Sequence, residues 1–181
     1  MPPFDFDRLE TQIEAAARQA FVELASRHPS AEPCAFALYS DAGAMTVCPA
    51  LCTRSFMRAK IAEEPDDWRY YQYTPAEWPH AGEGADEAFR PICRTLREYV
   101  FAMEDDADRF ADFKRQLMAT CVRVQQRLRQ DFFASRGDDF LLLATLSDDD
   151  EPADALNARV SALNHPTVAK EFQAWTMTWS D

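Results

Sequence analysis

The strongest constraint on the fold of this chain is a long amphipathic helix in its second half. Apolar side chains recur every three or four residues over about seven turns, the spacing of one helix face. These positions are Phe110, Phe113, Leu117, Cys121, Val124, Leu128 and Phe132. Acidic residues precede basic ones along the segment, an order that complements the helix dipole. We interpret its arginines as a solvated helix face rather than as a ligand site.

Other apolar patterns predict further helices and strands. The run FLLLATL at 140–146 is the clearest strand, and its continuous apolar character indicates burial on both faces. Additional helices are predicted at 5–27, 53–64, 89–103, 153–163 and 166–175, and additional strands at 34–40, 44–51 and 68–74. Helices do not alternate strictly with strands. The order therefore predicts an α+β fold, with a small, mostly antiparallel sheet covered by several helices in a single domain over 1–181.

The charge of the chain restricts its partners. Nineteen Lys and Arg residues stand against 31 Asp and Glu residues, a net charge of −12. This charge disfavours nucleic acids and anionic membranes, which would repel it, and permits a basic protein as partner. Simple solubility is the alternative explanation. No apolar stretch is long enough to predict a transmembrane helix, and the acidic first residues are unlike a signal peptide, so we expect a cytoplasmic protein.

The cysteines predict neither disulfides nor a metal site. The chain has an odd number of them, Cys34, Cys48, Cys52, Cys93 and Cys121, each among apolar neighbours. In a cytoplasmic protein we expect reduced thiols that behave as small hydrophobic side chains. Their spacing does not match a zinc finger. We therefore expect no metal ion and no other cofactor.

Sequence motifs for catalysis are missing. The chain has no glycine-rich nucleotide loop, no G-x-S-x-G and no H-E-x-x-H. Two of its three histidines, His28 and His165, fall at the predicted end of one helix and start of another, which indicates capping or surface roles. Whether the protein is an enzyme is uncertain from the sequence, and the missing motifs favour a role other than catalysis.

An acidic turn follows the clearest strand. It consists of Asp148, Asp149, Asp150 and Glu151 and suggests a cation site. Pro152 occupies a position where the EF-hand loop needs an oxygen ligand, so the turn does not fit that template. A weak cation site and a role in binding a basic partner remain alternatives for this turn.

The segment 68–80 carries the densest group of candidate binding residues. Aromatic residues are favoured at binding hot spots, and in a strand about half of them would lie in the core. Glu77 and His80 in the same segment are a candidate acid–base pair. The aromatic candidates are Trp68, Tyr70, Tyr71, Tyr73 and Trp78.

Several segments resemble one bacterial family. They are FALYSDAGAMTVCPALCT at 36–53, YYQYTPAEWPHAGEG at 70–84, FLLLATLSDDDEP at 140–152 and LNHP at 163–166. The family is known only as domain of unknown function 4303. The resemblance implies no activity and assigns no residue a role. Some of its members are associated with toxin–immunity genes, which implies an immunity-like binding role.

Together these features predict a non-enzymatic protein-binding module, with an immunity-type inhibitor of a basic toxin as its most specific form. One alternative is an enzyme or small-ligand binder that uses an aromatic pocket around Glu77 and His80. Another is a homo-oligomer that associates through the aromatic segment or through Trp175 and Trp179, which are four residues apart.

Overall fold

The computed structural model describes residues 3–103, 106–148 and 151–179. These residues form seven α-helices, one 3₁₀ turn and four strands. In chain order they are α1 (Phe6–Arg27), β1 (Pro33–Asp41), β2 (Cys48–Thr53), α2 (Arg54–Glu63), α3 (Trp68–Tyr73), the 3₁₀ turn (Pro75–Glu77), β3 (His80–Ala81), α4 (Asp86–Phe101), α5 (Ala107–Gln130), β4 (Leu141–Ser147), α6 (Ala153–Leu163) and α7 (Pro166–Thr176).

The four strands form one mixed sheet in the order β3-β2-β1-β4. β1 pairs antiparallel with β2 but pairs in parallel with β4. The α+β class is therefore confirmed, while the prediction of a mostly antiparallel sheet is wrong. The apolar run of β4 is typical of strands in parallel sheets. Its direction depends on how the four helices between β2 and β4 route the chain, which local patterns do not specify.

Helices cover both faces of the sheet. Phe36 and Leu142 point toward the larger core, which α1, α4 and α5 complete. Ala37 and Leu143 point to the opposite face, against α3, α6 and α7. Successive strand residues point to opposite faces, so this alternation divides the core into two layers. It also explains the burial of β4 on both faces, as predicted.

The long amphipathic helix is confirmed as α5. Its central apolar residues are buried against α1 and the sheet, from Phe113 to Leu128. Part of its arginine row serves a different purpose from the one predicted. Arg123 and Arg127 form ion pairs with Glu10 and Glu14 of α1. These arginines therefore connect two helices rather than facing only solvent.

The segment predicted as a third strand is the short helix α3. Asp67 precedes the helix, and its carbonyl accepts a hydrogen bond from the Tyr70 amide at 2.9 Å. Aromatic residues favour strands only weakly, and packing decides the outcome. The helical spacing places Tyr70 and Tyr73 on one face, whereas a strand would have paired Tyr71 with Tyr73. This correction determines which aromatic side chains meet.

No helix in the described ranges is long and apolar enough to span a membrane. The five cysteines are free thiols; Cys52 and Cys121 are buried, and the other three are half-buried.

Candidate functional site

An aromatic pocket lies where the parallel strands β1 and β4 end. It has a volume of about 200 Å³. α3 and the following turn form one wall, and α6 and α7 form the other. Its main lining side chains, which define the aromatic pocket below, are Tyr39, Tyr70, Tyr73, Leu146, Glu151, Phe172, Trp175 and Trp179.

Three ring contacts organise the pocket. Tyr73 of α3 stacks on Trp175 of α7, with centroids 5.4 Å apart and planes 25° apart. Phe172 meets Tyr73 edge-on at 4.7 Å, and Trp179 meets Trp175 edge-on at 5.0 Å. Such pairs contribute about 0.5–1.5 kcal/mol each beyond their buried area. The pocket therefore has a rigid back formed by Tyr73, Phe172 and Trp175, and a more open edge formed by Trp179.

Tyr73 brings a polar group into this apolar site. Its side chain is buried, and its hydroxyl has no hydrogen-bond partner among the described residues. Burial, the largest effect, raises the pKa of Tyr73 to about 12, so the hydroxyl stays neutral and can donate a hydrogen bond. A buried polar group without a partner is uncommon and costs about 1–3 kcal/mol. Because Tyr73 also lines the aromatic pocket, its unpaired hydroxyl is a candidate partner for a molecule that binds there.

Glu151 lies in the pocket wall but is already engaged. Its Oε2 is 2.5 Å from Nη2 of Arg159, and it accepts a 3.3 Å hydrogen bond from the Leu146 amide. Both charged side chains are largely buried, at 11% and 16% exposed. Glu151 therefore fixes the start of α6 against the end of β4 and is not a free cation ligand.

An acidic groove adjoins the aromatic pocket and shares Tyr70, Trp175 and Trp179 with it. The carboxylates of the groove outnumber its single arginine, Arg69. They belong to Glu64, Asp66, Asp67 and Glu171.

The carboxylates of the groove differ in how far they are engaged. Glu64 binds Lys60 and the hydroxyl of Tyr71, at 3.1 and 2.8 Å. Asp66, Asp67 and Glu171 form no salt bridge within the described part of the chain. The acidic groove therefore presents uncompensated negative charge beside aromatic rings.

Two more acids interact with Tyr70, which lines the pocket. Burial, followed by the charges of Glu77 and Asp148, raises the pKa of Tyr70. The Tyr70 hydroxyl also donates a 3.4 Å hydrogen bond to Glu77. The predicted acidic turn is thus connected to the aromatic segment through Asp148, while Asp149 and Asp150 lie outside the described residues.

The other predicted aromatic residues have structural surroundings. Trp78 is 3% exposed, and its indole donates a 2.9 Å hydrogen bond to the Tyr71 carbonyl. Lys60 lies 4.2 Å from the centre of the Tyr71 ring. Trp68 is half-buried on the other side of α3, beside Cys34 and Ile61.

Glu77 and His80 do not form the predicted acid–base pair. Glu77 is exposed and contacts Tyr70, whereas Nδ1 of His80 lies 3.2 Å from Oε2 of Glu83. His80 also packs on the ring of His28. Glu77 ends the 3₁₀ turn and His80 begins β3, and the two side chains face different surroundings. The structure records no hydrogen bond or ion pair between their side chains, and the pocket predicted around both of them stays a prediction.

Some residues of the site were not predicted as binding residues. Tyr39, Phe172 and the two C-terminal tryptophans complete the aromatic pocket, although the tryptophans were expected only as an association surface. The one usable signal is the helical spacing of Trp175 and Trp179. Their contact with α3 is long-range and has no local signature.

Comparison with known proteins gives one match. A family model described as a domain of unknown function (DUF4303) matches residues 13–165. This range contains α3 and the Glu151 ion pair and ends before Trp175. No curated protein and no solved structure matches the chain. Because the family model covers most of the sequence, the chain belongs to the DUF4303 family.

Proposed function

We propose that this protein is a non-enzymatic module that binds a basic protein. In this proposal a cationic side chain of the partner enters the aromatic pocket, and neighbouring basic residues contact the acidic groove. An immunity-type inhibitor of a basic toxin is the specific form of this role that we propose. The single observation that carries the proposal is that the aromatic pocket and the acidic groove share Tyr70, Trp175 and Trp179.

The chemistry of the two surfaces favours a cation. A Lys or Arg side chain over Tyr or Trp gains about 0.5–2 kcal/mol, the larger value when the site excludes water. An incoming guanidinium or ammonium group is a donor and would bind the Tyr73 hydroxyl through that oxygen's lone pairs. The rings of Trp175 and Trp179 provide apolar area for the aliphatic part of the side chain.

The charge around the pocket supports rapid capture of a basic partner. Asp66, Asp67 and Glu171 carry no salt bridge among the described residues, and the whole chain has a net charge of −12. Complementary charge mainly raises the association rate and selects against acidic partners. Binding should therefore weaken as salt increases, because the acids of the groove are exposed to solvent.

A co-purification experiment with matched variants tests the proposal. Tagged wild-type protein, D66N/D67N and W179A are used to capture proteins from the native host at low and moderate salt. E98Q/D108N is the control, because it removes two exposed acids on α4 and α5, across the sheet from the site. Asp67 makes no side-chain capping bond, so D66N/D67N should leave α3 intact.

The expected result is a basic protein that wild type and E98Q/D108N retain and that D66N/D67N and W179A lose. Purified partner should then bind with the same order of affinities in calorimetry. The proposal is overturned when the two site variants capture the same proteins as wild type, or when wild type retains no basic protein at either salt concentration.

Self-association is a second candidate, favoured by the exposure of the site's edge. Tyr70 and Trp179, which line both the pocket and the groove, are 45% and 40% exposed, and Met177, two residues before Trp179, is 75% exposed. A second copy of the chain could cover these side chains. Light scattering distinguishes the candidates: a wild-type dimer that W179A converts to a monomer supports self-association, and a monomer at high concentration excludes it.

A further inference from the structure

His28 meets His80 and Glu83, two residues distant from it in sequence, beside the start of α4. His28 follows the end of α1, His80 lies in β3, and Glu83 lies in the loop after β3. Their candidate ligand atoms all lie within 4.8 Å of one another. The two imidazole rings are 4.3 Å apart between centroids, and Nδ1 of His80 is 3.2 Å from Oε2 of Glu83.

The loop that carries Glu83 is held against α1 by its backbone. Gly84 has a φ of +90°, and a β-carbon there would lie 3.1 Å from the Ala20 carbonyl oxygen. Only glycine combines this conformation with so close an approach. The next amide, of Ala85, donates a 2.8 Å hydrogen bond to Glu23 of α1. These contacts fix the loop one to two turns before His28.

The two histidines are fixed independently of each other. His80 pairs with Leu51 in the sheet, and its side chain is only 14% exposed. His28 caps α1 through its backbone amide, which donates to the Leu24 carbonyl at 3.1 Å. The imidazole of His28 is therefore not used by the cap. The fold therefore brings the three side chains together, although those of His28 and Glu83 are not part of the hydrophobic core.

We propose that His28, His80 and Glu83 bind a divalent transition-metal ion, with Zn²⁺ as the ion that fits best. Two imidazoles and one carboxylate are a donor set suited to zinc, whereas calcium and magnesium prefer oxygen ligands alone. In a tetrahedral zinc site the ligand atoms lie about 3.4 Å apart. To reach this spacing, the exposed Glu83 side chain and the two packed imidazole rings must rotate so that their ligand atoms face one point.

The metal would connect the end of α1 to the turn after β3. Three protein ligands leave a fourth position for water or for a donor atom of another molecule. Binding to the folded chain alone raises its stability by mass action. This inference does not depend on the proposed binding of a basic partner, because the three ligands lie outside the aromatic pocket and the acidic groove.

Calorimetric titration with zinc chloride tests the site, with the cysteines kept reduced. The variants are H28A, H80A and E83Q. The matched control is H165A, which removes the only other histidine of the chain, located at the start of α7. All five cysteines remain in every variant, so zinc bound by thiols would persist. Circular dichroism without metal checks that each variant is folded.

Wild type and H165A should bind one zinc ion per chain with equal affinity, and zinc should raise the melting temperature of both. H28A and H80A should lose more than about 100-fold in affinity, and E83Q at least about 10-fold. Cobalt bound in place of zinc should give the visible absorption of a tetrahedral site in wild type. This absorption should be lost in H28A and in H80A, which each lack one of the two histidines. Zinc affinity that is unchanged in H28A and H80A, or no zinc binding by wild type, overturns the proposal. Unchanged affinity in E83Q contradicts a three-ligand site.

Discussion

The ring of Tyr73 stacks on the ring of Trp175, with the two planes 25° apart. This contact joins α3 to α7 and forms the back of the aromatic pocket. Tyr73 also carries the buried hydroxyl without a partner among the described residues. The same residue therefore has a packing role, through its ring, and a binding role, through its oxygen.

Substitution of Tyr73 should separate these two roles. Y73F keeps the ring and removes the unpaired hydroxyl, so the free energy of unfolding should stay unchanged or rise by about 1 kcal/mol. Y73A leaves a cavity and should lower it by about 3–5 kcal/mol. Urea unfolding followed by circular dichroism measures both. A loss of more than about 1 kcal/mol in Y73F would mean that the hydroxyl has a partner in the free protein.

Asn164 should be the most sensitive polar residue at the edge of the sheet. Its side chain accepts from the Leu142 amide and donates to the Leu142 carbonyl, each at 2.8 Å, and so takes the place of a neighbouring strand. N164A leaves two backbone groups of β4 without partners and should lower the unfolding free energy by about 2–4 kcal/mol. The control N157A removes only the side-chain hydrogen bonds between Asn157 and Thr176 and should cost about 1 kcal/mol. Equal losses in the two variants would contradict this role.

The ion pairs between α1 and α5 should make stability depend on acid pH. Burial raises the pKa of Glu10 and Glu14, but hydrogen bonds and charges from arginines, including Arg127, outweigh it and lower both values. A carboxyl group whose pKa is lower in the folded state stabilises the folded protein at pH values above the pKa of the unfolded chain, about 4.3. This contribution is lost as the pH falls below that value and through the lower pKa of the folded state.

E10Q/E14Q should therefore be less stable than wild type at neutral pH by about 1 kcal/mol. The difference should shrink as the pH is lowered below about 4. Unfolding curves across this range measure the effect, with the exposed Glu98 changed to Gln as the control. A constant difference at all pH values would contradict the assignment.

Cys34 should be the most reactive thiol. Hydrogen bonding with the Cys52 thiol, followed by the charge of Arg54, outweighs burial and lowers the pKa of Cys34. Burial raises the pKa of Cys48 to about 11 and that of Cys121 to about 12. Because the thiolate is the reactive form, iodoacetamide at about pH 8 should modify Cys34 first. Peptide mass spectrometry identifies the site, and C34S should remove the fast phase. Faster modification of any other cysteine refutes this ranking.

Long periodic segments made much of the fold predictable. The apolar stripe of α5 and the continuous run of β4 are both buried over most of their length, so their patterns reflect their surroundings directly. His165 also takes the predicted place at the start of α7, where its side chain accepts from the Thr167 amide. The helix and the cap form through local interactions. The pairing of β4 with β1 is long-range, but the apolar run of β4 marks it as a buried strand without reference to its partner.

The candidate site was harder to predict because it depends on one short element and on long-range contacts. α3 has six residues, too few for periodicity to separate a helix from a strand, and its aromatic residues fit both. Because the segment was predicted as a strand, Tyr71 was expected on the same face as Tyr73, whereas in the helix Tyr70 takes that place. Two ring contacts, Tyr73 with Trp175 and His28 with His80, are formed by residues far apart in sequence. They follow from the route of the chain and not from any local pattern.

The most direct test of the account is a titration of the protein with a short peptide of alternating arginine and glycine, followed by NMR of the tryptophan indoles. The resonances of Trp175 and Trp179 should shift together and saturate, while that of Trp78, whose indole is bonded inside the protein, should not move. D66N/D67N should weaken this binding by about 3- to 10-fold, and E98Q/D108N should leave it unchanged. The absence of shifts at Trp175 and Trp179 would contradict a specific site for basic partners. An affinity that both pairs of substitutions lower equally would contradict it as well.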